Sequence, residues 1–249
     1  RFPPKTCGND DASVGVLKPI ENKNMPTANR IIFDIETLGF PLESFDQESQ
    51  TYLLKFADTE EKIEDVRKNL NLHPLTAQVL CVAMFNPDSR HGKVLFQSEK
   101  KEEYFSENEL VKFQSGTEEE ILKEFWETII KYDQYITFNG RSFDCPFLMI
   151  RSAMLGIKAT RNLNPYRYDA KTHCDLLDQL TFYQATRKFS LDFYCKSFGI
   201  ESPKAKGITG LDMKMLVDTK RFRDIAEYCF GDVLATAELF QRWNDFINV

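Results

Sequence analysis

The stretch NRIIFDIETLGF, residues 29–40, places two acidic residues inside a run that otherwise favours a buried strand. Its apolar members are β-branched or aromatic: Ile31, Ile32, Phe33 and Ile35. Because alternate residues of a strand share a face, Asp34 and Glu36 are expected to point the same way. Two carboxylates buried together need a metal ion or a basic side chain to offset their charge. The alternative is a strand end at which water solvates both acids, and this motif alone does not decide between the two.

The length and charge of the chain limit the classes of protein it can be. Its 249 residues are 42% hydrophobic, which is enough for one large domain or two small ones. The formal net charge is −6, so the chain has no overall basic field that would attract nucleic acid. Any polyanionic partner must therefore be held by local cations.

The sequence gives no sign of a membrane or secreted protein. No apolar run approaches the roughly 18 residues of a membrane span. The first ten residues, RFPPKTCGND, lack the apolar core of a signal peptide. We therefore expect a soluble, intracellular protein of the cytoplasm, with no membrane partner. The six cysteines show no C-x-x-C spacing, which favours reduced core residues over a zinc site or a disulfide framework.

The pattern along the chain predicts one α/β domain behind an N-terminal arm. Residues 1–29 are rich in Pro, Asn, Gly and Asp and are interpreted as an arm or linker. Residues 30–249 form the folded domain. Within it, apolar residues among many charges at 42–72 predict one or two amphipathic helices, which form an insertion after the first strand.

The rest of the domain mixes strands with helices. Residues 78–85 and 93–97 are predicted to form a hairpin beside the first strand. Thr117 and Glu120 form a capping box at the start of a helix. A short strand at 135–138 precedes a helix at 143–155. Further helices are predicted at 191–198, 211–217 and 222–240.

Two more acidic residues lie where side chains often form sites. Asp144 lies at a strand-to-helix junction, although an acid there can also simply stabilise the helix dipole. Tyr228 and Asp232, in YCFGD, are four residues apart on a predicted helix and therefore share a face. Tyr228 can instead be a core residue that hydrogen-bonds to Asp232. Together with Asp34 and Glu36, these acids supply four hard oxygen ligands of the kind that Mg²⁺ and Mn²⁺ prefer.

Three motifs in order, FDIETLG, ITFNGRSFDCPFL and YCFGDVLAT, resemble those of the DEDD 3′–5′ exonucleases, which have a ribonuclease H-like fold. The Y-x-x-x-D motif is that of the tyrosine branch. The chain is similar to stand-alone proteins related to the proofreading exonuclease domain of family B DNA polymerases, over roughly residues 30–245. The resemblance implies a central mixed β-sheet flanked by helices, and a metal-dependent exonuclease that acts at the 3′ end of single-stranded nucleic acid.

The resemblance also implies roles for individual residues. Asp34, Glu36, Asp144 and Asp232 would be ligands of two Mg²⁺ or Mn²⁺ ions in a two-metal mechanism, and Tyr228 the catalytic tyrosine. Since an ordinary phenol is a poor base at neutral pH, Tyr228 is expected to orient the attacking water.

Four further residues are candidates for substrate binding. Asn139 could hydrogen-bond to the terminal nucleotide and Phe143 could stack on it, with turn and core roles as the alternatives. Asp175 is a candidate because similar enzymes place an acid in this region, and a helix-start acid is the alternative. Lys204, in ESPKAKGITG, could contact phosphate or belong to a solvated loop.

Three hypotheses about function follow. The first is a 3′–5′ exonuclease on single-stranded DNA, and the second is the same chemistry applied to trimming RNA 3′ ends. The third is a catalytically silent nucleic-acid-binding scaffold, which the intact acidic set and tyrosine disfavour. Sequence motifs do not identify the sugar, and protein partners are not indicated.

Overall fold

The computed structural model of the chain describes residues 29–202 and 210–249, except for the side chain of Leu211. The predicted arm, apart from residue 29, and Lys204 lie outside the described residues. Seven strands form one sheet: β1 (Arg30–Gly39), β2 (Ala77–Phe85), β3 (Gly92–Phe96), β4 (Glu103–Phe105), β5 (Val111–Ser115), β6 (Gln134–Thr137) and β7 (His173–Asp175). The helices are α1 (Gln47–Leu53), α2 (Glu60–Asn69), α3 (Glu118–Ile129), α4 (Asp144–Met154), α5 (Leu176–Leu180), α6 (Leu191–Phe198), α7 (Met213–Asp218) and α8 (Phe222–Phe246).

The sheet is mixed, with the strand order β4-β5-β3-β2-β1-β6-β7. Strand β1 pairs antiparallel with β2 on one side and parallel with β6 on the other, and β6 is parallel to β7. The carboxyl ends of β1, β6 and β7 therefore lie at one edge of the sheet, where ligands commonly bind in α/β folds. The predicted β2–β3 hairpin is confirmed.

Each face of the sheet is covered by a separate hydrophobic core. On one face, Phe33 of β1 packs with α3 and α4 residues such as Phe125 and Phe147. On the other, Ile32 packs with residues of α6, α7 and α8. Five cysteines are buried as free thiols, as the spacing predicted, while Cys7 lies outside the described residues. The mixed sheet between helical layers confirms the predicted α/β fold class.

The helices follow the predicted pattern closely, with the capping box of Thr117 and Glu120 present at the start of α3. The insertion at 42–72 contains α1, α2 and two short 3₁₀ turns. Strands β4, β5 and β7 and the five-residue α5 were not predicted. The three-residue strands are too short to show a periodic pattern, whereas the alternation of β5, which buries Val111 and Phe113, was a signal that could have found it. Helix α8 ends six residues later than predicted, since Trp243 is also buried.

Within residues 29–202 and 210–249, the structure has no helix whose length and apolar character together would let it cross a bilayer.

A tight turn joins β6 to α4, and its glycine has no room for a side chain. Asn139 adopts a left-handed backbone, with φ of 64°. A Cβ on Gly140 would lie 2.5 Å from both Cβ and Oγ1 of Thr137. Thr137 is fully buried, and its hydroxyl lies 2.9 Å from Nε2 of His173. The turn that leads into Asp144 is therefore fixed by close packing.

Replacing Gly140 with alanine is expected to lower the free energy of unfolding by about 1–3 kcal/mol, because the buried neighbours must shift. Urea denaturation measures the change. Gly210→Ala is the matched control, since a Cβ there meets open space and its effect should stay within about 0.5 kcal/mol. Equal stability of the two variants would contradict the close approach.

Candidate active site

Strand β1 presents two acids to the helix that covers its face. Ile32, Asp34 and Glu36 alternate along β1 and so share the face on which α8 packs. Helix α8 brings Asp232 to the same place. One carboxylate oxygen from each of Asp34, Glu36 and Asp232 lies within 4.8 Å of the others. The two acids of β1 do point the same way, toward a third acid nearly 200 residues along the chain.

Asp144 lies beside these three carboxylates but has a different set of contacts. It is the first residue of α4 and is buried. Its Oδ1 accepts a hydrogen bond of 3.0 Å from the backbone N–H of Ile35, between the two acids of β1. Its negative charge also raises the pKa of Asp34 and of Glu36. Asp144 therefore adjoins the carboxylate cluster and ties α4 to β1.

Burial and mutual repulsion disfavour the charged forms of these acids. Burial is the largest cause that raises the pKa of Asp34 well above its usual value, followed by the charges of Asp144 and Asp232. The pKa of Glu36 is raised by burial, then by Asp232 and Asp144. Burial also raises the pKa of Asp144 to about 7, against the lowering effect of its backbone hydrogen bonds. The arrangement is unfavourable for four carboxylates alone.

This donor set fits divalent cations. All of its members are carboxylates, the hard oxygen ligands that Mg²⁺ and Mn²⁺ prefer. A bound cation would favour the ionised form of every one of these carboxyls. The cluster is therefore suited to hold divalent metal.

Tyr228 lies one turn before Asp232 on α8 and is 8% exposed. Burial raises the pKa of its phenol, and the negative charges of Asp232, Glu36 and Asp34 raise it further. A hydrogen bond to Asp232 contributes in the same direction. The hydrogen bond between Tyr228 and Asp232, which was expected if Tyr228 is a core residue, is therefore present. The phenol that makes it lies beside the carboxylate cluster. Tyr228 stays protonated at neutral pH and is a hydrogen-bond donor there.

Asp175 holds the turn before α4 together. Its Oδ1 accepts from the backbone N–H of Asn139 at 2.9 Å and caps α5 through Leu177 at 3.0 Å. Its Oδ2 accepts from the N–H of Arg141 at 2.9 Å. The helix-start role given as the alternative is confirmed, and contact of Asp175 with substrate stays a prediction.

The other substrate-binding candidates lie at the same edge of the sheet. Asn139 follows β6 and is half-buried, with its backbone N–H engaged by Asp175. Phe143 precedes α4, packs on the core beneath it, and has its ring centroid 5.7 Å from that of Phe147. Their contact with nucleotide remains a prediction, as does that of Lys204, which is outside the described residues.

A buried ion-pair group near the site was not predicted. Asp178 accepts a hydrogen bond of 2.6 Å from Arg167, and its other oxygen lies 3.7 Å from Nε of Arg141. These side chains are far apart in the sequence, so no local pattern predicts their contact. The group supports the turn that carries Asn139 and Asp144.

The comparisons with known proteins agree with this fold. The family model described as "Predicted 3'-5' exonuclease related to the exonuclease domain of PolB" matches residues 93–248. DNA polymerase 1 of Saccharolobus solfataricus is 30% identical over 140 residues, which are 52% of this chain and 16% of that protein. The DNA polymerase of Methanocaldococcus jannaschii is 26% identical over 205 residues, 76% of this chain and 12% of the polymerase.

Among solved structures, the family B DNA polymerase from the hyperthermophilic archaeon Pyrobaculum calidifontis shares the fold. The TM-score is 0.58 at 17% identity, over 91% of this chain and 26% of the polymerase. The chain therefore spans well under a third of each of these relatives. The similarity to that structure concerns the fold alone.

The sheet topology and the structural similarity define a ribonuclease H-like fold, as in the exonuclease domain of PolB. The chain belongs to the family of predicted 3′–5′ exonucleases related to the exonuclease domain of PolB. The matched stretch contains Asp144, Tyr228 and Asp232, while Asp34 and Glu36 precede it. Their convergence with Asp232 is a property of the tertiary structure.

Proposed function

We propose that this protein is a metal-dependent 3′–5′ exonuclease that hydrolyses phosphodiester bonds at the 3′ end of single-stranded nucleic acid, with DNA as the preferred strand. The observation that carries the proposal is the convergence of Asp34, Glu36 and Asp232 within 4.8 Å, with Asp144 beside them. The family supports the class of activity, and the DNA polymerases among the relatives support DNA.

The carboxylates are the residues that would hold the metal. Asp34, Glu36 and Asp232 form the cluster, and Asp144 completes the predicted set of four ligands. When bound, two divalent ions, Mg²⁺ or Mn²⁺, supply activation of the nucleophile and stabilisation of the leaving oxygen. The positive charge of the ions is also needed to bind a polyanionic substrate, because the four acids and the net negative charge of the protein would otherwise repel it.

Tyr228 is proposed to orient the attacking water through its phenol oxygen, which accepts a hydrogen bond from the water while the phenol proton is donated to Asp232. Its phenol is buried beside Asp232, and its raised pKa keeps the proton on oxygen. A phenol in this state cannot remove a proton from water, so it acts as a positioning group.

Replacing Tyr228 with phenylalanine should lower the rate of hydrolysis roughly 10- to 100-fold through loss of this one hydrogen-bonding group. Single-turnover kinetics measure the rate. Tyr104→Phe is the matched control, because the buried Tyr104 hydroxyl has no hydrogen-bond partner among the described residues and its loss should leave the rate unchanged. A Tyr228→Phe enzyme with the wild-type rate would remove Tyr228 from the mechanism.

The test of the proposed function is digestion of 5′-labelled single-stranded DNA and RNA with Mg²⁺, Mn²⁺ or a chelator. A ladder that shortens from the 3′ end only with metal, and faster on DNA, is the expected result. Faster cleavage of RNA would show that the preferred substrate is RNA and that the function is trimming of RNA 3′ ends. Folded protein that cleaves neither strand with metal present would overturn the proposal in favour of a binding scaffold.

A further inference from the structure

Exposed aromatic side chains are concentrated in residues 166–193, which we call the aromatic surface. Tyr166 is 73% exposed, Phe182 61% and Phe193 52%. Several of the rings also contact one another, in two groups. The ring centroids of Tyr168 and Tyr183 are 4.6 Å apart, and those of Phe189 and Phe193 are stacked, also at 4.6 Å. Rings exposed in this density mark an interaction surface.

The aromatic surface has no net negative charge, although the whole chain is acidic. Residues 166–193 contain four basic and four acidic residues, in a chain whose net charge is −6. Two of the four acids, Asp175 and Asp178, are buried. Arg187 lies over the ring of Phe189, 5.0 Å from its centroid. Across residues 29–202 and 210–249, neither Arg187 nor Lys188 forms an ion pair with a described partner, so both charges are available to a polyanion.

The backbone that carries Phe182 is held in a costly conformation. Phe182, Tyr183 and Gln184 have φ of 48°, 57° and 76°, which non-glycine residues rarely adopt. Hydrogen bonds hold this segment: the N–H of Tyr183 donates to the carbonyl of Asp178 at 2.6 Å, and the N–H of Gln184 to Thr181 Oγ1 at 3.2 Å. Strain of this kind often accompanies function, and here it presents an apolar ring to solvent.

Aromatic contacts connect the surface with the active-site edge of the sheet. The ring centroid of Phe189 lies 6.2 Å from that of Tyr194, and Tyr194 lies 5.9 Å from Phe138. Phe138 directly follows β6 and precedes Asn139 at the turn that leads to Asp144. Helix α6, which carries Tyr194, also packs on α8. The negative charge of Asp232 on α8 contributes to raising the pKa of the Cys195 thiol on α6. The part of the aromatic surface around Phe189 is therefore linked through Tyr194 to the turn that leads to Asp144.

The insertion at 42–72 offers a useful contrast. It also exposes aromatic rings, with Tyr52 77% and Phe56 82% exposed. However, it carries eight acidic and only four basic residues. Its excess of acids repels a polyanion, whereas the basic and acidic residues of the aromatic surface are equal in number and Arg187 and Lys188 have no described ion-pair partner. Of these two aromatic regions, the one at 166–193 is therefore better suited to bind nucleic acid.

We infer that the aromatic surface binds the single-stranded polynucleotide upstream of its 3′ end, an inference that rests on the proposed function. Stacking of bases on Phe182 and its neighbours, with phosphates near Arg187 and Lys188, is the recognition that such surfaces provide. It is independent of base sequence, since every base has a face that can stack. The surface gives an acidic protein a local means of holding a long strand.

The test uses a triple variant that combines Phe182→Asn, Arg187→Gln and Lys188→Gln. Its binding is compared with that of the wild type. Asparagine tolerates the left-handed backbone at 182, so the turn is retained. Fluorescence anisotropy with labelled dT20 and rU20, in chelator and at several salt concentrations, measures affinity without cleavage. We expect the variant to bind at least about tenfold more weakly. Loss of two cations should lower the slope of log affinity against log salt by about 1.4.

The control removes the same kinds of side chain from the insertion, through Phe56→Asn with Lys55→Gln and Lys62→Gln, and should bind as wild type does. Wild-type affinity and salt slope in the test variant, equal losses in both variants, or wild-type protein that binds neither strand would each overturn the inference. Because binding is measured without metal, failure of the hydrolysis assay overturns the proposed exonuclease and leaves the binding result standing.

Discussion

An Asp34→Asn enzyme is expected to hydrolyse single-stranded DNA at least about a thousandfold more slowly than wild type. Asp34 lies in the centre of the carboxylate cluster, where its charge couples to Glu36, Asp144 and Asp232. Asparagine has nearly the same shape but no charge, so it weakens the hold on divalent metal without opening a cavity. Loss of several kcal/mol of charge stabilisation in the transition state corresponds to this change in rate.

Two measurements distinguish this effect from loss of the fold. Single-turnover hydrolysis gives the rate, and calorimetric titration with Mn²⁺ gives the metal affinity, which should fall together with the rate. Asp88→Asn is the control, because Asp88 pairs with Arg30 in the turn after β2, and its loss should change neither quantity. Wild-type hydrolysis and wild-type metal affinity in Asp34→Asn would show that the assignment of the site is wrong.

The second large effect concerns the stability of the metal-free protein. Burial raises the pKa of Asp144 to about 7 in the folded state, while an unfolded aspartate titrates near 3.9. The folded state therefore binds more protons than the unfolded state between these values, and stability falls as pH rises through that window. The penalty is fully present above the folded pKa and disappears below the unfolded one. Metal-free wild type should be more stable at pH 5 than at pH 8.

Asp144→Asn should remove this penalty. Its amide oxygen can still accept the hydrogen bond from Ile35, so only the charge is lost. At pH 8 in chelator the variant should be more stable by about 3–4 kcal/mol, and by less than half of that at pH 5. Added Mn²⁺ should raise the melting temperature of wild type more than that of the variant.

Thermal unfolding at both pH values, followed by circular dichroism, measures the difference. Asp218→Asn is the control, because Asp218 is 61% exposed and pairs with Lys214 on the surface, so its effect should stay within about 0.5 kcal/mol. A variant that is less stable than wild type at pH 8 in chelator would mean that a cation of the protein already balances the charge of Asp144.

Much of the fold could be predicted because local sequence patterns determine where most of its strands and helices form. The β-branched run around Asp34, the capping box at Thr117 and the apolar spacing along α8 each act within a few residues, and the elements form where these patterns occur. Short strands such as β7 depend on their neighbours in the sheet, and no local pattern predicts them. The aromatic residues at 166–193 were equally visible in the sequence, but not which of their rings are exposed.

The sequence by itself determined the α/β class, the order of its main elements and the acids that could form a site. The alternation along β1 even placed Asp34 and Glu36 on one face. The tertiary structure alone decided that this face is covered by α8, so that Asp232 meets them, and that Asp175 turns inward to hold the β6–α4 turn. The physical reason is that burial and charge coupling depend on which distant segments pack together, and packing is not a local property of the chain.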